Sequence, residues 1–307
     1  FLLFYNILNI LSMEMIDFSK IILLKILQNI KKYYIIKYES NYKKEGIMII
    51  DIVSASNAKY KYIKSLKEKK FRTKNKEYTV EGIKSVHDAI ASQREICMIA
   101  VSEDFFENEN FDYPQDIPLY RINTSIFNKL CDTQSPQGII AVIKMEDIKN
   151  FKPEKDKAYV YCDGINDPGN LGTIIRTADA AGFGGVLLSK GTVDLYNPKT
   201  VRASMGSFFN ITVITDAGID DLKRYKEDGF ILFGGALGDN TIDYKNADMT
   251  QPSFIVVGNE ANGISDQVQK ICQCVKIPIL GKAESLNAAV AAGILMYELV
   301  SQRMGRN

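Results

Sequence analysis

The sequence predicts an α/β protein in two unequal parts: a mostly parallel sheet covered on both faces, preceded by a smaller α/β sandwich. Three observations point there. Short apolar runs of strand length alternate with helical stretches from residue 78 to the C-terminus, as in sheets whose strands are joined by helices. A polar segment containing a proline, Asn150–Lys157, interrupts the alternation and reads as a linker. The 307 residues, 46% apolar and 24% charged, suffice for about two domains with a sizeable core.

Residues 1–47 stand apart. They are dense in Ile, Leu, Tyr, Asn and Lys and contain no Pro. Their longest uncharged run, Phe1–Met13, is too short to span a bilayer, which takes about 20 apolar residues. Neither a basic start nor a small-residue cleavage site of a signal peptide is present. Lys44-Glu45-Gly46 before Met48 reads like a purine-rich ribosome-binding site translated in frame. The expectation is a native start at Met48, with 1–47 as upstream read-through. An amphipathic helix for a partner or a membrane surface is the alternative.

Residues 48–149 form the smaller part. It opens with Lys59, Lys61, Lys64, Lys67, Lys69, Lys70, Arg72, Lys74 and Lys76, opposed only by Glu68 and interleaved with Tyr60, Tyr62 and Phe71. Such a run grips phosphates, or is a solvated helix face; the aromatics favour RNA. Strands are predicted at 78–80, 96–101, 119–122 and 138–143, with helices at 83–91 and 125–130.

Residues 157–307 form the larger part. Strands are predicted at 158–163, 186–189, 211–215, 230–234, 253–258 and 275–280. Helices are predicted at 171–181, 199–204, 220–227, 266–272 and 286–302.

Composition excludes several chemistries. A net charge of +1 is not that of a polycation, although local patches still bind nucleic acid. The one histidine, His87, lies outside the larger part and leaves no Ser-His-Asp triad there. No metal set is apparent. The cysteines Cys97, Cys131, Cys162, Cys272 and Cys274 have no CxxC spacing and read as reduced thiols of a cytoplasmic protein. There is no GxGxxG after a strand, no GxxxxGK[ST] and no GxSxG. A nucleotide-dependent oxidoreductase thereby loses its fingerprint.

Ligands of parallel sheets sit at strand carboxyl ends, which directs attention to three loops. In the first, Asp163 to Ala178, Pro168-Gly169 sets a turn and Asn170 is the candidate helix cap. Arg176 follows inside the helix, either as a phosphate clamp or as a surface salt-bridge former. In the second, Gly258-Asn259-Glu260 ends a hydrophobic strand. Gly258 admits a ligand close to the backbone, or the segment is an ordinary turn. In the third, Ile277-Pro278 leads to Ser285, the candidate cap of a helix of small residues that another helix or subunit could approach closely.

Together, in this order and spacing, the loops resemble the three motifs of the SpoU (TrmH-type) RNA ribose methyltransferases of the SPOUT superfamily. The residues concerned are Asn170…Arg176, Gly258-Asn259-Glu260-x-x-Gly263, and Ile277-Pro278…Ser285-Leu286-Asn287-x-x-Val290-Ala291. The likeness spans about 157–303. Residues 55–145, through Tyr78-Thr79-Val80-Glu81-Gly82 and Ser135-Pro136-Gln137-Gly138, resemble the family's ribosomal-protein-like RNA-binding domain. Residues 1–47 match nothing in it.

The resemblance implies a trefoil-knotted sheet and a homodimer whose site is completed across the interface. It implies S-adenosyl-L-methionine held by positions matching Gly234, Gly235, Ala236, Gly258, Ile277 and Leu286. The reaction implied is methyl transfer to a ribose 2′-hydroxyl of structured RNA, rRNA rather than tRNA, with no membrane and no metal. Arg176 activates the hydroxyl, as base or electrostatically; arginine's high pKa favours the latter. Asn170 and Asn287 position the ribose and loops, Glu260 orients its loop through Arg176, and Ser285 supports the third motif. A catalytically silent RNA-binding protein of the same fold is the competing class. The target nucleotide, and any role in antibiotic self-protection, are not legible.

Overall fold

The computed structural model describes residues 48–148, 151–238 and 240–305. The expectation for residues 1–47 lies outside them. The compact unit described below comprises residues 49–108 and 118–307.

The first sheet has five strands: β1 (Ile49–Ile52), β2 (Glu77–Glu81), β3 (Ile96–Ser102), β4 (Leu119–Ile122) and β5 (Ile139–Lys144), in the order β1-β4-β3-β5-β2. β1, β4 and β3 run parallel, while β5 runs antiparallel to both its neighbours. The helices are α1 (Ala58–Ser65), α2 (Lys69–Asn75), α3 (Ile83–Ala91), α4 (Glu103–Asn108) and α5 (Thr124–Phe127). Alternation puts Tyr78 and Val80 of β2 inside, and β5 is buried from Ile139 through Ile143. The expected helix at 125–130 is shorter, because the backbone turns after Phe127. β1 and α4 were not foreseen from the sequence.

The second sheet has seven strands, all parallel: β6 (Ala158–Asp163), β7 (Gly185–Leu188), β8 (Thr212–Ile214), β9 (Ile231–Gly235), β10 (Ile242–Asp243), β11 (Ser253–Gly258) and β12 (Gln273–Lys276). Their order is β10-β12-β9-β11-β6-β7-β8. Five helices accompany them: α6 (Pro168–Ala180), α7 (Pro198–Ala203), α8 (Ile219–Glu227), α9 (Asp266–Gln269) and α10 (Ala288–Met304). The central strands β6 and β11 are buried almost throughout, as two-sided coverage requires. Stacked aromatics fill one face; Tyr159 and Tyr225 lie 5.2 Å and 5.3 Å from Phe254. Phe151 packs edge-on against Tyr159, so this part of the expected linker is anchored rather than free.

Element ends differ from expectation for local reasons. β12 stops at Lys276, two residues before Pro278, which has no N–H for a ladder. Pro168 occupies the first turn of α6 rather than a free turn. Among the described residues no helix is long and apolar enough to cross a membrane.

The topology locates a crevice. From β6 the chain passes through α6 to β7 on one side; from β11 it passes through α9 to β12 on the other. β6 and β11 are neighbours whose last residues, Asp163 and Gly258, are register partners. Their carboxyl ends are thus the switch point where parallel sheets receive ligands.

Candidate active site and RNA interface

Three segments meet at that point. Asp167 caps α6, its Oδ1 accepting the Asn170 N–H at 2.8 Å. The cap is therefore Asp167, not Asn170, and the Asn170 side chain is free for other work. It bridges the other two segments. Its Nδ2 donates to Glu260 Oε1 at 2.8 Å, and its Oδ1 accepts from Asn287 Nδ2 at 2.9 Å. An amide that donates on one side and accepts on the other has one satisfying orientation.

Glu260 also accepts the backbone N–H of Asn166 at 3.1 Å and of Asp167 at 3.3 Å. Burial raises its pKa, but hydrogen bonds from Asn170 and these N–H groups outweigh that and hold the carboxyl below its ordinary value. Glu260 acts on the first loop through Asn170 and two backbone amides. Among the described residues of one chain it has no contact with Arg176, the link expected from the resemblance.

Asn287 Oδ1 accepts the N–H groups of Ala289 and Val290, so Asn287, not Ser285, caps α10. Ser285 is exposed and makes no hydrogen bond among the described residues. Asn259 binds the first and second loops together: its Nδ2 donates to the Gly164 carbonyl at 2.8 Å, and its backbone pairs with Gly263 in both directions at 2.9 Å. The motif contains Asn259 but does not by itself assign this role. The signal was its place directly after a strand-ending glycine.

Gly258 is required for a reason other than ligand approach. A Cβ there would lie 2.0 Å from the Gly263 carbonyl carbon and 2.1 Å from Ile264 N. The loop's own backbone occupies that space.

Beside these loops opens a cavity of about 500 Å³. Of the residues expected to hold a cofactor, Gly235, Ala236, Gly258, Ile277 and Leu286 line it. Gly234 does not; it is buried in β9, facing Cys272 and Ile264. Glu260, Ser285 and Asn287 are also in the lining, with Val257 and Leu295 as apolar wall. Apolar walls with backbone polar groups at the rim suit a nucleoside-sized ligand.

Arg176 is exposed, does not line the cavity and has no hydrogen-bond or ion-pair partner among the described residues. It lies roughly 9 Å along α6 from Asn170 and about 240° around the axis. It is therefore not joined to the Asn170–Glu260–Asn287 cluster within one chain. His87 is exposed on α3, in the other sheet's layer. Among the described residues no cluster of His, Cys, Asp or Glu could hold a metal. The cysteines are free, and burial raises the Cys162 thiol pKa.

The basic run divides. Lys59, Lys61, Lys64, Lys69, Lys70, Lys74 and Lys76 are exposed, Lys70 lying 2.8 Å from Glu68. Lys67 is half-buried, with Nζ 2.8 Å from Asp132 and donating to the Cys131 carbonyl. Arg72 is only 3% exposed and pairs with Asp194, so it is unavailable to a phosphate. Tyr60 is a core residue donating to the Ile126 carbonyl, and Tyr62 donates to Glu77. Both hydroxyls are thus engaged within the fold.

Residues 157–297 match the SpoU rRNA Methylase family, and residues 57–141 match the MRM3-like substrate binding domain. The chain is 36% identical over 249 residues to the 23S rRNA (guanosine(2553)-2'-O)-methyltransferase RlmP of Bacillus subtilis (strain 168), covering 81% of this chain and 98% of that one. The chain belongs to the SpoU rRNA methylase family.

Solved family members agree. The AdoMet-bound rRNA methyltransferase from Sinorhizobium meliloti superposes with a TM-score of 0.75 at 29% identity, over 82% of this chain and 97% of that one. The SpoU methyltransferase AviRb from Streptomyces viridochromogenes gives 0.71 at 26% identity, over 82% and 99%.

Proposed function

We propose that the chain transfers a methyl group from S-adenosylmethionine to a ribose 2′-hydroxyl of ribosomal RNA. The observation that carries this is the Asn170–Glu260–Asn287 cluster, which ties the three family loops together beside a cavity of fitting size. The similarity to a 23S rRNA 2′-O-methyltransferase supports rRNA as the substrate class.

When bound, the cofactor supplies an electrophilic methyl on its sulfonium. The backbone at Gly235, Ala236 and Gly258, with Ile277 and Leu286, forms its cradle. Asn170 and Asn287 hold the ribose side of the site. Positioning of this kind can supply several kcal/mol of the barrier. With no imidazole nearby, Arg176 contacts the phosphate beside the target ribose and stabilises the charge growing on its oxygen.

The active form is a homodimer in which Arg176 serves the partner's cavity. Two features support this: Arg176 stands apart from the cluster of its own chain, and α10 exposes Val290, Tyr297 and Met304, each two turns apart. The knot is part of the same reading, and the match of residues 157–297 to the family supports it. The domains are residues 48–149 and 157–307. Free thiols at all five cysteines support a cytoplasmic setting.

The test is Arg176→Ala assayed on an in vitro 23S rRNA transcript with labelled S-adenosylmethionine. A fall in rate of at least about a hundredfold, with cofactor binding retained, is expected. Wild-type-like methylation by the folded variant would remove Arg176 from the chemistry. Absence of 2′-O-methylation by the wild type would remove the function.

A further inference from the structure

The residue withdrawn from the RNA interface points to a different role. Arg72 lies on α2, in the middle of the basic run, yet its guanidinium is buried. Nη1 donates to the carbonyls of Leu66 and Lys67 at 2.8 Å and 2.6 Å, closing the end of α1. Nε and Nη2 donate to Asp194 Oδ2, on the loop before α7. One fork thus fastens the phosphate-gripping helices to the larger sheet's layer.

The connection continues. Asp194 also accepts the Tyr196 N–H and, through its carbonyl, the Thr200 hydroxyl of α7. α7 packs on α6 with no room to spare: a Cβ on Gly172 would lie 2.5 Å from Ala203 Cβ and 2.6 Å from the Thr200 carbonyl oxygen. In the first turn of α7, Lys199 Nζ lies 3.1 Å from Asp167 Oδ2. Asp167 is the cap of α6 and the residue that holds the Asn170 backbone N–H. From Arg72 to Asn170 every step is a hydrogen bond, an ion pair or a tight helix contact.

We propose that Arg72 is a positioning residue for methyl transfer: through Asp194, α7 and the Lys199–Asp167 pair it sets the first turn of α6, and so links the RNA-gripping helices to Asn170. The inference rests on the proposed function for its kinetic consequence, but its structural consequence does not. Arg72→Lys keeps the charge and loses the fork. Lys199→Gln removes the last link at a surface site and does not threaten folding. A spatial path is not itself coupling, so a double-mutant cycle is the deciding measurement.

Hydrogen exchange of the ligand-free protein provides the first readout. Each variant is expected to speed exchange at the amides of Asn170 and Leu171 at least threefold, with α10 amides unchanged. Single-turnover methylation of the 23S rRNA transcript provides the second. Each variant is expected to slow the step about tenfold, with RNA and S-adenosylmethionine affinities within twofold of wild type, and the double variant to be no slower than the worse single. Additive losses would overturn the proposal. So would a loss of RNA affinity with an unchanged single-turnover rate, which would return Arg72 to phosphate binding. Unchanged exchange at α6 in both variants would overturn it as well. A wild type that does not methylate fails the proposed function, while the exchange result still decides the coupling. Should Arg72→Lys not fold, Asp194→Asn combined with Lys199→Gln completes the cycle with the same expectations.

Discussion

The α1–α2 segment and the cleft at the ends of β6 and β11 are built on opposite plans. In α1–α2, nine cations lie within 18 consecutive residues and look interchangeable. The fold makes them unequal: seven face water, Lys67 is tied to Asp132, and Arg72 is buried against Asp194. In the cleft, Asn170, Glu260 and Asn287 are separated by up to 117 positions and share no composition signal. The fold makes them one cluster. Charge density thus marks a surface suited to phosphate but not which of its cations are free to bind it. Spaced polar residues after strands mark where the loops meet but not which of them touch.

The largest test of this contrast is Gly258→Ala. The added methyl must displace the Gly263–Ile264 backbone, so the loop carrying Asn259 and Glu260 cannot keep its place. Loss of cofactor binding and a lowered melting temperature are expected, measured by calorimetry. Gly182→Ala is the control. It has positive φ but open space around it, and should cost only about 1–2 kcal/mol with cofactor binding intact.

Next in size is neutralising Lys61, Lys64, Lys69 and Lys74 together. Four lost phosphate contacts should weaken RNA binding about a hundredfold near physiological salt. They should also flatten the slope of log K against log salt by about 3. An unchanged slope would show that RNA binds elsewhere. In the cleft, Glu260→Gln keeps the shape and removes the charge, and should slow methylation about tenfold by loosening Asn170. Its pH signature is specific. The folded pKa lies below the ordinary 4.5, so the stabilising contribution is present above that value and fades as pH falls through the folded pKa. The wild-type and Glu260→Gln unfolding curves should therefore differ at neutral pH and converge in acid.

Much of the fold was legible. β6, β11 and α3 fall on the residues expected, because six-residue, mostly apolar runs and a clean 3.6 period leave little choice. The ends of helices were less legible. Asp167 rather than Asn170, and Asn287 rather than Ser285, are the caps, since several adjacent residues could cap and only the backbone path decides. The site was legible as motifs but not as contacts. Nothing in the spacing indicates that Glu260 meets Asn170 and two amides rather than Arg176. Gly234 and Gly235 are adjacent glycines at one strand end, yet alternation turns one into the core and the other to the cavity.

The smallest expected effect is the sharpest on the first region. Lys67 sits between Lys64 and Lys69 in sequence and is indistinguishable from them by composition. Its Nζ is already satisfied by Asp132 and the Cys131 carbonyl, so phosphate would have to displace a partly buried pair to use it. Lys64 carries no such partner among the described residues and is exposed. Lys64→Gln should therefore reduce the salt slope by about 0.7–0.9, and Lys67→Gln by well under half of that. Lys67→Gln should instead lower the melting temperature slightly, since the surviving Asp132 loses its partner. Equal slopes for the two variants would mean that RNA rearranges α1, and that the inequality among these cations exists only before RNA arrives.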